Sequence, residues 1–163
     1  MDSEARRRAC VEFRAKLSRD AGVDLTAAEC AVLLDQTFAG EGEEVTLQSN
    51  PGRFYVSLGV AITVQTLALV LPDHEKVAWW CFREAAEVHS QPEGMRRLAS
   101  SLFLGEGVTE DPAQAVVWFQ KAADLGDATS KSMLGSFLVD GHAVAGLAKD
   151  AARGFSLACE AVE

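Results

Sequence analysis

The chain has 163 residues, 48% of them hydrophobic, with four prolines and no low-complexity segment, which suits one folded unit with a true core and excludes a disordered chain. Its net charge is −9, and residues 41–163 carry 17 acids against 9 bases, so a phosphate backbone is repelled and nucleic-acid binding is disfavoured. Abundant alanine, leucine and valine with a single tyrosine favour helix over sheet.

Residues 3–20 read as an amphipathic helix with Cys10, Phe13 and Leu17 at three-to-four spacing, stopped by Ala21-Gly22. Thr26-Ala-Ala-Glu29 is a capping box that opens a second helix, predicted over 26–39, with Val32, Leu33 and Phe38 as its apolar face. Residues 1–40 thus form a helical hairpin of nearly neutral charge, expected to cap one end of the remaining helices. Residues 41–52 are polar and rich in turn formers, and read as a surface loop.

Phe54 to Leu71 contains no charged residue and reaches the length of a membrane span. Ser57, Thr63, Gln65 and Thr66 interrupt it and Pro72-Asp73 stops it, so a buried helix is the expectation and a span is disfavoured. No apolar leader opens the chain, whose first residues include Asp2 and Glu4. Cys10, Cys30, Cys81 and Cys159 lie far apart with no paired histidines. They read as buried free thiols of a reducing, cytoplasmic compartment, and no metal site is expected.

From residue 53 onward the sequence repeats. Leu98-Ala99, Gly105, Gly107 and Val108 are answered 36 residues later by Leu134-Gly135, Gly141 and Val144. Asp111, Ala115, Trp118, Phe119 and Ala122-Ala123 are answered 37 residues earlier by His74, Ala78, Cys81, Phe82 and Ala85-Ala86. They recur 39 residues later as Asp150, Gly154, Leu157, Ala158 and Ala161-Val162. Leu58-Gly59 supplies the earliest first half. Small residues at Gly59, Ala99 and Gly135 let helix backbones approach, while Trp118, expected to be largely buried between helices, and Phe119 give bulk between units. The glycine turn at 105–107 ends one helix, and Thr109 or Asp111, followed by Pro112, starts the next. Each unit is helix, turn, helix, and only stacking buries its faces. The predicted helix pairs are 3–20/26–39, 53–71/75–88, 93–104/111–125 and 129–140/149–162, an all-α fold of about eight helices.

The unit from Gly94 to Gly126 resembles the Sel-one-like repeat (SLR), a relative of the tetratricopeptide repeat. The match rests on Leu98, Gly105, Gly107, Val108, Asp111, Ala115, Trp118, Phe119 in place of tyrosine, Lys121, Ala122, Ala123 and Gly126. The flanking units depart from the pattern: Cys81 and Leu157 stand where tryptophan is usual, and Leu102 and Leu138 replace the tyrosine. The resemblance covers residues 53–163. It implies an α-solenoid of about three helix pairs behind the N-terminal hairpin, and scaffold or adaptor work with proteins.

The chemistry of catalysis is sparse. His74, His89 and His142 sit at helix ends or turns beside acids, and Asp140-Gly-His142 has no nucleophile placed with it. The Gly105-Glu-Gly107 turn follows a helix rather than a strand and lacks a phosphate-loop lysine. Of Trp79 and Trp80, one is expected to fill the core between helices and the other to pack on the next unit; an exposed anchor is the other reading. No catalytic residue, cofactor or metal is therefore expected. By tetratricopeptide logic, the concave face is lined by first-helix positions Arg53, Val56, Val60, Arg96, Ser100, Phe103, Ser132, Ser136 and Asp140, with a peptide or helix of a partner protein across them. The alternative is an enzyme or small-ligand protein with a site between the hairpin and the solenoid. The third repeat stops at Val162-Glu163, short of the turn at Leu125-Gly126, with Phe155, Leu157, Ala158 and Cys159 in its closing helix. This predicts a chain truncated from a longer array, or one whose last face is covered by another copy.

Overall fold

The computed structural model describes residues 3–38, 49–63, 71, 73–141 and 148–161. Among the described residues there are eight helices and no strand: α1 Ser3–Ala21, α2 Ala27–Phe38, α3 Pro51–Thr63, α4 His74–Glu87, α5 Pro92–Leu104, α6 Pro112–Asp124, α7 Ala128–Asp140 and α8 Ala151–Glu160. Each begins and ends close to its sequence-predicted bounds. The exception is α3, which starts at Pro51, inside the stretch read as loop. Asn50 accepts the Arg53 N–H at 3.1 Å and proline occupies the first helical position, so an Asn-Pro start was written in the sequence. Residues 64–70 of the uncharged stretch lie outside the described residues. No described helix is long and apolar enough to cross a membrane.

Local chemistry sets the boundaries. Thr26 and Glu29 form the reciprocal capping box: the Thr26 N–H donates to Glu29 Oε2 at 2.7 Å, and the Glu29 N–H donates to Thr26 Oγ1 at 3.2 Å. The Thr26 backbone N–H, with the hydroxyl second, holds the Glu29 carboxyl below its ordinary range. Asp111, Asp127 and Asp150 each accept the N–H three residues ahead, at 2.9, 2.7 and 3.1 Å, and so start α6, α7 and α8 in the same way. Gly105 and Gly141 end α5 and α7 in the left-handed region, φ 74° and 72°, where a side chain would be strained.

Packing follows the repeat. The pairs α3/α4, α5/α6 and α7/α8 are antiparallel hairpins, stacked through α4 on α5 and α6 on α7. The small positions act as expected. A Cβ at Gly135 would stand 2.7 Å from the Gly154 carbonyl oxygen, so α7 and α8 cross backbone to backbone. A Cβ at Gly59 would meet the Phe82 ring, 2.5 Å from its nearest carbon.

The first hairpin packs onto the first pair. Phe13 of α1 lies 5.9 Å from Trp80 of α4, and Tyr55 of α3 lies 5.6 Å from the same ring, both edge-on. Trp80 is fully buried, as one of the two adjacent tryptophans was expected to be. Trp79 is half-buried under the Arg83 guanidinium, 4.9 Å from its ring.

Three expectations are corrected. Trp118 is only half-buried, with Lys121 Nζ 3.7 Å over its ring, while Phe119 is fully buried against Phe137. One residue along a helix is a rotation of about 100°, enough to exchange core for surface. In α2 the buried face is Cys30, Leu33 and Leu34, and Val32 is exposed. Cys159 is exposed, unlike Cys30 and Cys81.

Candidate interaction surface

Side-chain contacts at both ends of α5 and α7 fix how these helices lie. Near their starts, Arg96 Nε stands 3.5 Å from Asp127 Oδ2. Near their ends, Phe103 and Phe137 stack with centroids 5.2 Å apart and planes at 22°. Helices that meet start to start and end to end run parallel and side by side. At the start of α3, a Cβ at Gly52 would meet His89 and Gln91, the residues leading into α5. The first helices α3, α5 and α7 therefore form one layer, and α4, α6 and α8 form the other.

The nine expected contact residues fall at three-to-four spacing along α3, α5 and α7. Arg53, Ser132, Ser136 and Asp140 are exposed. Val60, Arg96, Ser100 and Phe103 are half-buried. The Ser100 hydroxyl donates back to the Arg96 carbonyl oxygen at 3.1 Å. Val56 is different: it is 6% exposed and belongs to the core, not to an open face. Arg96 is also partly committed, since its guanidinium meets Glu93 at 3.3 Å as well as Asp127. The open part of this layer is thus polar: arginine toward the helix starts, serines in the middle and Asp140 at one end, with the half-buried Phe103 beneath.

A second concave feature lies where the first hairpin meets the repeats. It is an open cleft of about 440 Å³ lined by Glu12, Ala15, Lys16, Arg19, Pro51, Tyr55 and His89. Sequence reading placed no residues there, because the lining comes from three separate segments. Its basic groups are paired with acids outside the lining, and its two rings with each other. Lys16 forms an ion pair with the buried Glu84, Arg19 meets Asp20 at 3.1 Å, and His89 stacks on Tyr55 at 5.8 Å. Burial, and then the Glu84 charge, push the Tyr55 hydroxyl well above its ordinary range. Burial does the same to the Cys81 thiol, and burial followed by the Cys10 contact does so to Cys30. These groups are held protonated, the opposite of what an activated nucleophile needs. His142 lies outside the described residues, and among those described no three His, Cys, Asp or Glu side chains converge on a common metal position.

Comparison with known proteins agrees with this geometry. The family model for the Sel1 repeat matches residues 66–88 and 92–127. No curated protein matches the sequence. Among solved structures, the chain is similar to the Sel1 repeat protein from Oxalobacter formigenes, with a TM-score of 0.60 and 21% identity over 80% of this chain and 87% of that one. It is also similar to c5321, a protective antigen of uropathogenic Escherichia coli strains displaying an SLR fold, with a TM-score of 0.59 and 20% identity. That alignment covers 94% of this chain, which spans 30% of the antigen's length. Repeat spacing, family model and helix stacking coincide: residues 66–88 and 92–127 match the Sel1 repeat, and the chain folds as an α-solenoid like those of the SLR structures.

Proposed function

We propose that this protein works as a scaffold or adaptor, binding a peptide or helix of a partner protein across the layer of α3, α5 and α7. The observation that carries this reading is the parallel alignment of α5 and α7, held by Arg96–Asp127 at one end and Phe103–Phe137 at the other. It sets exposed and half-buried first-helix positions side by side on one face. Arg53, Val60, Arg96, Ser100, Phe103, Ser132, Ser136 and Asp140 line it; Val56 supports it from the core. Alternate exposed polar and half-buried apolar positions on neighbouring parallel helices suit an extended or helical segment.

The test is selection of binding peptides on the full chain from an unbiased displayed library, followed by affinity measurement on variants. Ser136→Arg should weaken the selected peptides at least about tenfold, the loss a buried rim clash brings, with melting unchanged. Gln120→Arg on α6 should leave them unaffected. Peptides that bind Ser136→Arg as well as the parent would remove this face from consideration.

A further inference from the structure

The exposed face of α8, which borders α7 at Glu160, has a pattern that the repeat does not require. On this helix Gly154 is buried against α7, while Ala152, Arg153, Phe155, Ser156, Cys159 and Glu160 are exposed. Phe155 is 63% exposed and is the only exposed aromatic side chain among the described residues. At about 100° per residue, these six positions span one arc of the helix. Ala152, Ser156 and Cys159 form its small-residue centre. Phe155 borders the arc on one side. Arg153 and Glu160, seven residues and about two turns apart, border it on the other. In the neighbouring pairs the second helices α4 and α6 are stacked on by α5 and α7. Nothing among the described residues covers α8 in this way.

The geometry points to a second copy of this chain as the occupant of that face, packed as an antiparallel α8–α8 pair about a two-fold axis. Such an axis runs between the two helices, perpendicular to both, and brings like edges together at inverted height. On the charged edge, Arg153 then lies level with Glu160 of the second copy, and Glu160 with Arg153 of the second copy, giving two opposite-charge pairs. On the apolar edge the two Phe155 rings meet, separated along the axis by only about 4–5 Å. The small central residues let the backbones close to within helix-packing distance. A face that complements itself in charge, in apolar content and in shape under one operation is what an isologous interface requires. Glu160 is held for this role: its Oε2 meets Lys131 at 3.7 Å and its Oε1 accepts from the Ser156 hydroxyl at 3.4 Å, yet the side chain is 51% exposed. The contact involves a single ten-residue helix from each copy, so the dimer is a weak, exchanging one rather than obligate.

Sedimentation equilibrium of the full chain over a range of concentrations tests this, with circular dichroism confirming the fold of each variant. The parent should rise from 17.4 kDa toward twice that mass as concentration increases, and added salt should weaken the association. Arg153→Glu and Glu160→Arg, each alone, should weaken dimerisation by at least about tenfold, because like charges then face each other twice. The two substitutions together should restore it. Arg153→Glu suits the helix dipole, placing an acid in the first turn, whereas Glu160→Arg also gives up the Lys131 pair to α7, so circular dichroism of each variant separates loss of the dimer from a loosened α8. Phe155→Ser should weaken association in the same assay. A chain that stays at 17.4 kDa at every concentration overturns the proposal, as do single reversals without effect or a double reversal that fails to restore the dimer.

Discussion

Arg96 and Asp127 join two adjacent repeats at the point where one of them begins. One Asp127 oxygen accepts the Ser130 N–H at 2.7 Å and starts α7, while the other lies 3.5 Å from the Arg96 guanidinium of α5. Cap and cross-repeat tether are the same carboxylate. Asp127→Ala should therefore lower stability by about 1–2 kcal/mol, at the upper end for loss of a helix cap, measured by urea unfolding. Arg96→Glu should also lower the melting temperature, since it sets a carboxylate beside both Glu93 and Asp127. Asp111→Ala, which removes a cap whose carboxylate has no such tether among the described residues, should cost less than Asp127→Ala.

The adjacent aromatics of α6 should separate cleanly. Phe119 is fully buried against Phe137, so Phe119→Ala should cost about 3–5 kcal/mol. Trp118 is half-buried with Lys121 over its outer face, and Trp118→Ala should cost clearly less. Equal losses in thermal or urea melts would contradict the register of α6.

Lys16 and Glu84 tie the first hairpin to the first repeat. Glu84 is buried on α4, and Lys16 reaches it from α1. Lys16→Met leaves an uncompensated buried carboxylate and should destabilise by about 2–3 kcal/mol. Adding Glu84→Gln to that variant should recover most of the loss, because the charge left without a partner is then gone. A double variant as weak as the single one would show that the pair acts through packing alone.

The thiols predict both reactivity and alkaline behaviour. Native-state alkylation followed by mass spectrometry should label exposed Cys159 first and half-buried Cys10 next, with Cys30 and Cys81 protected until unfolding. Burial raises the Cys30 and Cys81 thiols above the ordinary 9.0, so the folded state keeps protons that the unfolded chain releases. Their contribution is intact below about pH 9 and declines as the pH rises above it. Urea midpoints should fall over that range, and a Cys30→Ser, Cys81→Ala variant should lose less of its stability to alkali than the parent does.

Repetition made most of this fold legible in the sequence alone. The glycine turns, the aspartate caps and the Leu-Ala/Leu-Gly contacts recur at fixed offsets, and each has one physical use, so their positions translate directly into helix ends and close crossings. The capping box at Thr26 and Glu29 was equally plain. What escaped was rotation about a helix axis: Phe119 and Trp118 are both large and apolar, and only packing against Phe137 decides which turns inward. Val56 escaped for the same reason: a position that the repeat pattern leaves unassigned can still turn into the core. A site between the hairpin and the solenoid was among the readings of the sequence, but the residues of the cleft, Lys16, Tyr55 and His89 among them, carried no local signal, because they come from three separate segments.

Whether a partner lies across the first-helix layer can be read by hydrogen–deuterium exchange on the full chain, with and without a library-selected peptide. New protection is expected along α3, α5 and α7, centred on segments containing Ser100, Phe103, Ser132 and Ser136, with α4 and α6 little changed. Protection confined to the segments bearing Lys16, Tyr55 and His89, with none on α5 or α7, would refute that binding mode and place the partner in the junction cleft instead.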